Sequence, residues 1–155
     1  MNFDLNSIVL PCPTDEILKK KEGNWCLTLP SAYKEFIKKM NGVKPVDASV
    51  YYNFHTEGIS RFLCILDSIE DNEESWFDIS VVFSPMIGRM VYSEDTYGID
   101  VLPIAQLDYG NYLALDYKVK DQEPQVVVWD LDTSREFDPV TYFVYENFKN
   151  FLDSN

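Results

Sequence analysis

The sequence predicts an α+β fold, a single domain over residues 1–155 with a largely antiparallel twisted sheet flanked by helices. Three observations carry that expectation. Helical segments with recognisable caps stand near both ends of the chain. Between them lie short runs rich in aromatic and β-branched residues, the composition of strands. Short turns join those runs, which favours antiparallel neighbours. A length of 155 residues is enough to bury a core, and 15% aromatic residues argue against disorder.

Thr14 caps the first helix, with Asp15 and Glu16 in its first turn, where acids meet the positive end of the helix dipole; Gly23 ends it. The stretch LTLPSAYKEFIKKMNGVKP, residues 27–45, predicts a second helix over residues 30–41. Pro30 suits the first helical position, where its fixed φ helps and its missing N–H costs nothing. Tyr33, Phe36, Ile37 and Met40 fall at i, i+3, i+4 and i+7 and share one face. Lys34, Lys38 and Lys39 lie off that face as a modest basic patch. Asn41-Gly42 supplies a left-handed stop, and Pro45 prevents a restart.

Residues 49–55 (SVYYNFH) and 61–66 (RFLCIL) read as strands, with Thr56-Glu57-Gly58 as the hairpin turn between them. Residues 67–78 (DSIEDNEESWFD) hold six acids and no base, which reads as a solvated loop or frayed helix. Residues 79–93 fit strand or helix equally, because Pro85 and Gly88 weaken both. Three strands follow, at 101–107, 111–117 and 125–131, with Tyr109-Gly110 turning the first into the second. A closing helix is expected over residues 141–152, burying Tyr142, Phe143, Tyr145, Phe148 and Leu152.

The net charge of −13 is unevenly spread: residues 1–44 hold seven Lys against five acids, and residues 45–155 hold six Lys or Arg against twenty-one acids. Such a surface repels phosphate backbones, so direct nucleic-acid binding is not expected. It attracts a cationic protein and speeds encounter with it. No apolar run approaches the length of a bilayer span, and the N-terminus carries an acid but no basic region of the secretory kind. Three widely spaced cysteines without a C-x-x-C pair suit free thiols, and the expected compartment is the cytoplasm.

The sharpest enzymatic lead is VVVWDLDTS, residues 126–134, an apolar strand ending in two aspartates one residue apart and followed directly by Thr133. It resembles the first motif of haloacid-dehalogenase-type phosphotransferases, in which Asp130 would be the nucleophile and Asp132 the general acid/base beside Mg²⁺. Its context disagrees: that motif opens its domain, whereas only 23 residues follow Asp132, with Lys149 their single lysine. A strand entering an Asp-rich turn explains the same residues. His55 is the only histidine, which excludes a multi-histidine metal site within the chain. No phosphate-binding glycine motif occurs, and the acidic loop lacks the spacing of a calcium loop. Trp25, Trp76 and Trp129 read as core or partly buried residues. No catalytic residue, cofactor or metal is therefore expected.

Taken together, Leu29, Pro30, Tyr33, Phe36, Ile37, Asn41, Gly42 and Pro45, then Leu102 to Ala105 with Gly110, Asn111, Tyr112 and Leu115, then Val126 to Asp130, resemble the SMI1/KNR4 family of the SUKH superfamily. Val43 departs from the frequent second glycine and Leu131 from the frequent histidine. The resemblance implies a non-catalytic α+β protein-binding domain. Bacterial members resemble immunity proteins that neutralise polymorphic toxins, often nucleases or deaminases; fungal members look like regulators and scaffolds of cell-wall synthesis and signalling. The small size favours the bacterial reading, with a cationic toxin domain as partner. Expected contact residues are Glu70, Asp71, Glu73 and Glu74, then Asp108, Tyr109 and Asn111 at the later turn.

Overall fold

Runs of apolar and β-branched residues, joined by short turns except for the long crossing of residues 63–100, wind the middle and end of the chain into six antiparallel strands in sequence order. These are β3 (Ser49–Tyr52), β4 (His55–Phe62), β5 (Val101–Leu107), β6 (Tyr112–Asp116), β7 (Gln125–Arg135) and β8 (Asp138–Tyr145). The structure is a computed structural model describing residues 1–155. The sheet twists until its edges meet, and the rings of Tyr52 on β3 and Tyr142 on β8 lie 5.6 Å apart. The result is a nearly closed, barrel-like sheet in a single α+β domain, as the sequence predicts. Pro103 interrupts the β5–β6 ladder, and the register shifts between Pro103 and Ala105, because a proline has no N–H to give its neighbour.

Four helices accompany the sheet: α1 (Asp15–Trp25), α2 (Ser31–Ile37), α3 (Ile79–Phe83) and α4 (Phe148–Ser154). A two-stranded ribbon of β1 (Asn2–Asp4) and β2 (Lys44–Val46), which the sequence reading does not contain, pairs the N-terminus with the segment after α2. Thr14 caps α1 as expected, but the helix runs past Gly23 to Trp25, and Cys26 ends it in the left-handed conformation. The indole of Trp25 is buried, so packing carries the helix through the glycine.

The second helix is shorter than residues 30–41. Pro30 stands before it in extended conformation, and after Ile37 the backbone tightens into turns that end at the left-handed Gly42. Its expected buried face is correct. Tyr33, Phe36 and Ile37 are buried, Met40 packs half-buried against the core, and Phe36 meets Phe62 at 4.8 Å and Phe148 at 5.5 Å between ring centroids. The lysines form no free basic patch. Lys34 pairs with Glu22 at 3.0 Å and Lys38 with Asp15 at 3.0 Å and Glu35 at 2.7 Å, which ties α2 to α1.

Three further expectations change. The first hairpin turns at Asn53-Phe54, not at Thr56-Glu57-Gly58, which lies inside β4. Residues 79–93 resolve into α3 and a 3-10 segment at Ser84–Arg89, with Asp78 capping α3. The closing helix of residues 141–152 is half strand. The run TYFVY has the aromatic and β-branched composition of a sheet and pairs with β7, while Asn147 caps α4 by accepting from Asn150 N–H at 2.9 Å.

Tyr33 buries its hydroxyl without a hydrogen-bond partner, and burial drives its pKa upward. An unpaired buried hydroxyl costs about 1–3 kcal/mol. Tyr33→Phe keeps the T-shaped contact with Phe148 at 5.1 Å and removes that cost. Urea denaturation should therefore show the variant more stable by about 1 kcal/mol; a clear loss would mean the hydroxyl has a partner.

Candidate functional site

The acidic segment leaves the sheet beyond β4. There the backbone pairs only locally, Leu63 N–H donating to the Ile104 carbonyl and Cys64 N–H to the Phe77 carbonyl, each at 2.8 Å, and buried side chains supply the remaining bonds. Asn41, wholly buried, accepts from Ile65 N–H at 2.8 Å and donates to the Val9 carbonyl at 3.0 Å and the Ile65 carbonyl at 3.3 Å. The residue read from sequence as a helix stop is thus the junction of three chain segments. Gly42 follows with positive φ, and a Cβ there would collide with Val9, so only glycine fits.

The loop itself is anchored at three points, so it is neither freely solvated nor a frayed helix. Asp78 is buried; it accepts from Leu66 N–H at 2.8 Å with one oxygen and caps α3 with the other. Asn72 donates to the Leu10 carbonyl at 3.2 Å. Glu74 pairs at 3.0 Å with Arg61, a buried guanidinium that also donates to the carbonyls of Gly42 at 2.7 Å and Ser7 at 3.1 Å and lies over the Phe77 ring. The acids consequently divide by role. Asp78 and Glu74 hold the loop, Asp67 meets Lys20 at 3.2 Å in solvent, and Glu70, Asp71 and Glu73 are exposed without a cation.

Among these carboxylates stands Trp76, 78% exposed, with the exposed Ile69 earlier in the loop. The expectation that all three tryptophans are core or partly buried fails here: Trp25 and Trp129 are buried and Trp76 is not. The signal was in its neighbours, since an indole set in EESWFD can enter a core only by dragging acids with it. Ile69, Glu70 and Asp67 also line an open groove of about 670 Å³, together with Lys21, Ser80 and Pro85.

The second predicted patch lies elsewhere. Asp108 N–H donates to the Gly58 carbonyl at 3.0 Å and Tyr109 N–H to the Glu57 carboxylate at 2.6 Å, early in β4, whereas the acidic loop departs after Leu66. The fold therefore does not join the two patches. Tyr109 is 79% exposed, but Asn111 is committed internally. It donates to the Tyr52 hydroxyl at 3.0 Å and accepts from Leu131 N–H at 3.2 Å. Tyr52 in turn donates to the buried Glu57, and burial first, then this hydrogen bond, raises its pKa to about 12.

Elsewhere the titratable groups gather at Asp100, which pairs with Lys120 and accepts from Tyr92 N–H, and at Asp116, which accepts from the Tyr92 hydroxyl. Asp130 accepts from Thr133 N–H at 3.1 Å and Asp132 is exposed; both lie inside β7 at a shift of its register with β8, not in an Asp-rich turn, and the chain turns only at Glu136-Phe137. His55 is exposed with its ring 4.3 Å from that of Tyr52. All three cysteines are free, and burial pushes the Cys64 thiol up to about 12, so it stays protonated at neutral pH. No group of three or more His, Cys, Asp or Glu converges as a metal site would require. No helix is long and apolar enough to cross a membrane.

Comparison with curated proteins gives no match. The model of one protein family, SUKH_6, described as SMI1-KNR4 cell-wall, matches residues 15–152. Proteins of the SUKH family are commonly immunity proteins, typically bind toxin domains and are generally non-catalytic. A match running from the first turn of α1 into α4 takes in all six strands of the barrel-like sheet, and the chain belongs to the SMI1-KNR4 (SUKH_6) family.

Proposed function

We propose that the chain is a non-catalytic immunity protein of the cytoplasm that binds a cationic toxin domain, of the nuclease or deaminase class, and blocks it stoichiometrically. One observation carries this reading: the acidic loop is fixed to the core by Arg61, Asn72 and Asp78, yet presents Trp76 and the uncompensated Glu70, Asp71 and Glu73 to solvent. A preorganised aromatic anchor on the same loop as exposed carboxylates suits a surface that must itself attract phosphate. Glu74 belongs to the same face but also serves Arg61. A regulatory adaptor with an endogenous partner uses the same surface, and the neighbouring gene separates the two readings: a toxin gene immediately upstream supports immunity.

The test is binding to the polypeptide encoded immediately upstream. The triple variant Glu70→Lys, Asp71→Asn, Glu73→Lys spares Glu74, and asparagine tolerates the positive φ of Asp71. Its association rate should fall at least about tenfold and lose much of its salt dependence. Its stability should stay within about 0.5 kcal/mol of the parent. Unchanged association in the folded variant removes the loop from the interface.

A further inference from the structure

The β3–β4 hairpin contains a residue that folding does not explain. Tyr52 pairs with His55, so Asn53 and Phe54 are the two central residues of the turn, and both have positive φ, at 43° and 65°. That is the type I′ geometry, whose second position strongly favours glycine. A bulky side chain there works against the backbone. Phe54 recovers nothing by burial, being 93% exposed. Strain of this kind, held in place by its surroundings, points towards a use outside the fold.

Those surroundings are shared with a second exposed aromatic. Glu57, buried in β4, accepts from the Tyr52 hydroxyl behind the hairpin tip and from Tyr109 N–H in the β5–β6 turn. Asn111 closes the network by donating to Tyr52. Phe54 and Tyr109 thus stand on two turns fixed to one hydrogen-bonded platform. Asp108, at the side of Tyr109, is exposed, and Asp130 stands next to Leu131, whose N–H donates to Asn111 at 3.2 Å; neither joins any ion pair of the chain.

We propose that this end of the barrel is a second docking face, in which Phe54 and Tyr109 enter an apolar pocket on a cationic protein partner while Asp108 and Asp130 meet the basic rim of that pocket. Charge complementarity selects the partner: apart from His55, the charged groups of the platform, Glu57, Asp108 and Asp130, are acids, so a second copy of this chain would set like charges against each other. The inference rests on the partner-binding reading above and adds a face remote from the acidic loop.

The experiment measures affinity for the polypeptide encoded immediately upstream, using Phe54→Gly, Tyr109→Ala and the loop triple variant beside the parent. Phe54→Gly should unfold at the same or higher denaturant concentration and bind at least about tenfold more weakly, and Tyr109→Ala should also bind at least about tenfold more weakly. Parental affinity in both variants, with the loop triple variant still impaired, overturns the second face and leaves the proposed function standing. Absence of binding by the parent overturns both. A loss of stability in Phe54→Gly shows that the side chain serves folding and overturns the inference. Parental self-association that Phe54→Gly abolishes overturns the choice of partner.

Discussion

Phe36→Ala is expected to lower the unfolding free energy by about 3–5 kcal/mol, the range for removing a well-packed aromatic from a core. Phe36 is buried where α2, the ribbon, the sheet and α4 converge. Its ring centroid lies 5.7 Å from that of Phe3, 4.8 Å from Phe62 and 5.5 Å from Phe148. The neighbours come from three different elements, so no single shift collapses the cavity. Exposed Lys39, which makes no ion pair, supplies the control: Lys39→Ala should stay within about 0.5 kcal/mol. Equal effects of the two substitutions in chemical denaturation would show that the buried face of α2 is misassigned.

Arg61→Ala should cost about 3 kcal/mol, and the ion pair is the smaller part of that. Glu74 is 47% exposed and rehydrates when its partner is lost, so the pair contributes at most about 1 kcal/mol. The larger cost comes from the carbonyls of Gly42 and Ser7, which lose a charged donor in a site where Gly42 is buried, and from the packing of the guanidinium on Phe77. Glu74→Gln should accordingly cost less than about 1 kcal/mol. Hydrogen exchange offers a second readout. In Arg61→Ala the amides of the loop that the pair anchors should exchange faster, while those of β6 and β7 keep their protection. A Glu74→Gln loss as large as that of Arg61→Ala would put the energy in the ion pair instead.

Local features of the sequence were enough for the fold class, for Thr14 as a cap and for the buried face of α2. Caps and 3.6-residue periodicity depend on neighbours within one or two turns. The central strands at residues 101–107 and 111–117 were legible for the same reason, as uniform apolar runs around a glycine turn. The errors fall where a distant partner decides. Residues 141–145 read as part of a closing helix, and β7 instead takes them into a ladder. The first hairpin turns at Asn53-Phe54 because register with β4 outweighs the preference for glycine at Phe54. Asn41 does not end the helix, which stops at Ile37, and its actual role depends on residues 9 and 65 arriving beside it.

The candidate site divides in the same way. The acidity of residues 67–78, the excess of charge beyond residue 45 and the turn at Tyr109-Gly110 are properties of composition, and the sequence by itself determined them. Which acids are available is a property of the tertiary structure. Glu74 and Glu70 differ little in sequence, but only Glu74 lies within reach of Arg61, thirteen positions earlier in the chain. Trp76 is exposed because the loop around it is pinned by Asp78 and Asn72 in a conformation that turns the indole outward. Charge is set residue by residue, whereas pairing and exposure depend on which segments the closing sheet brings together.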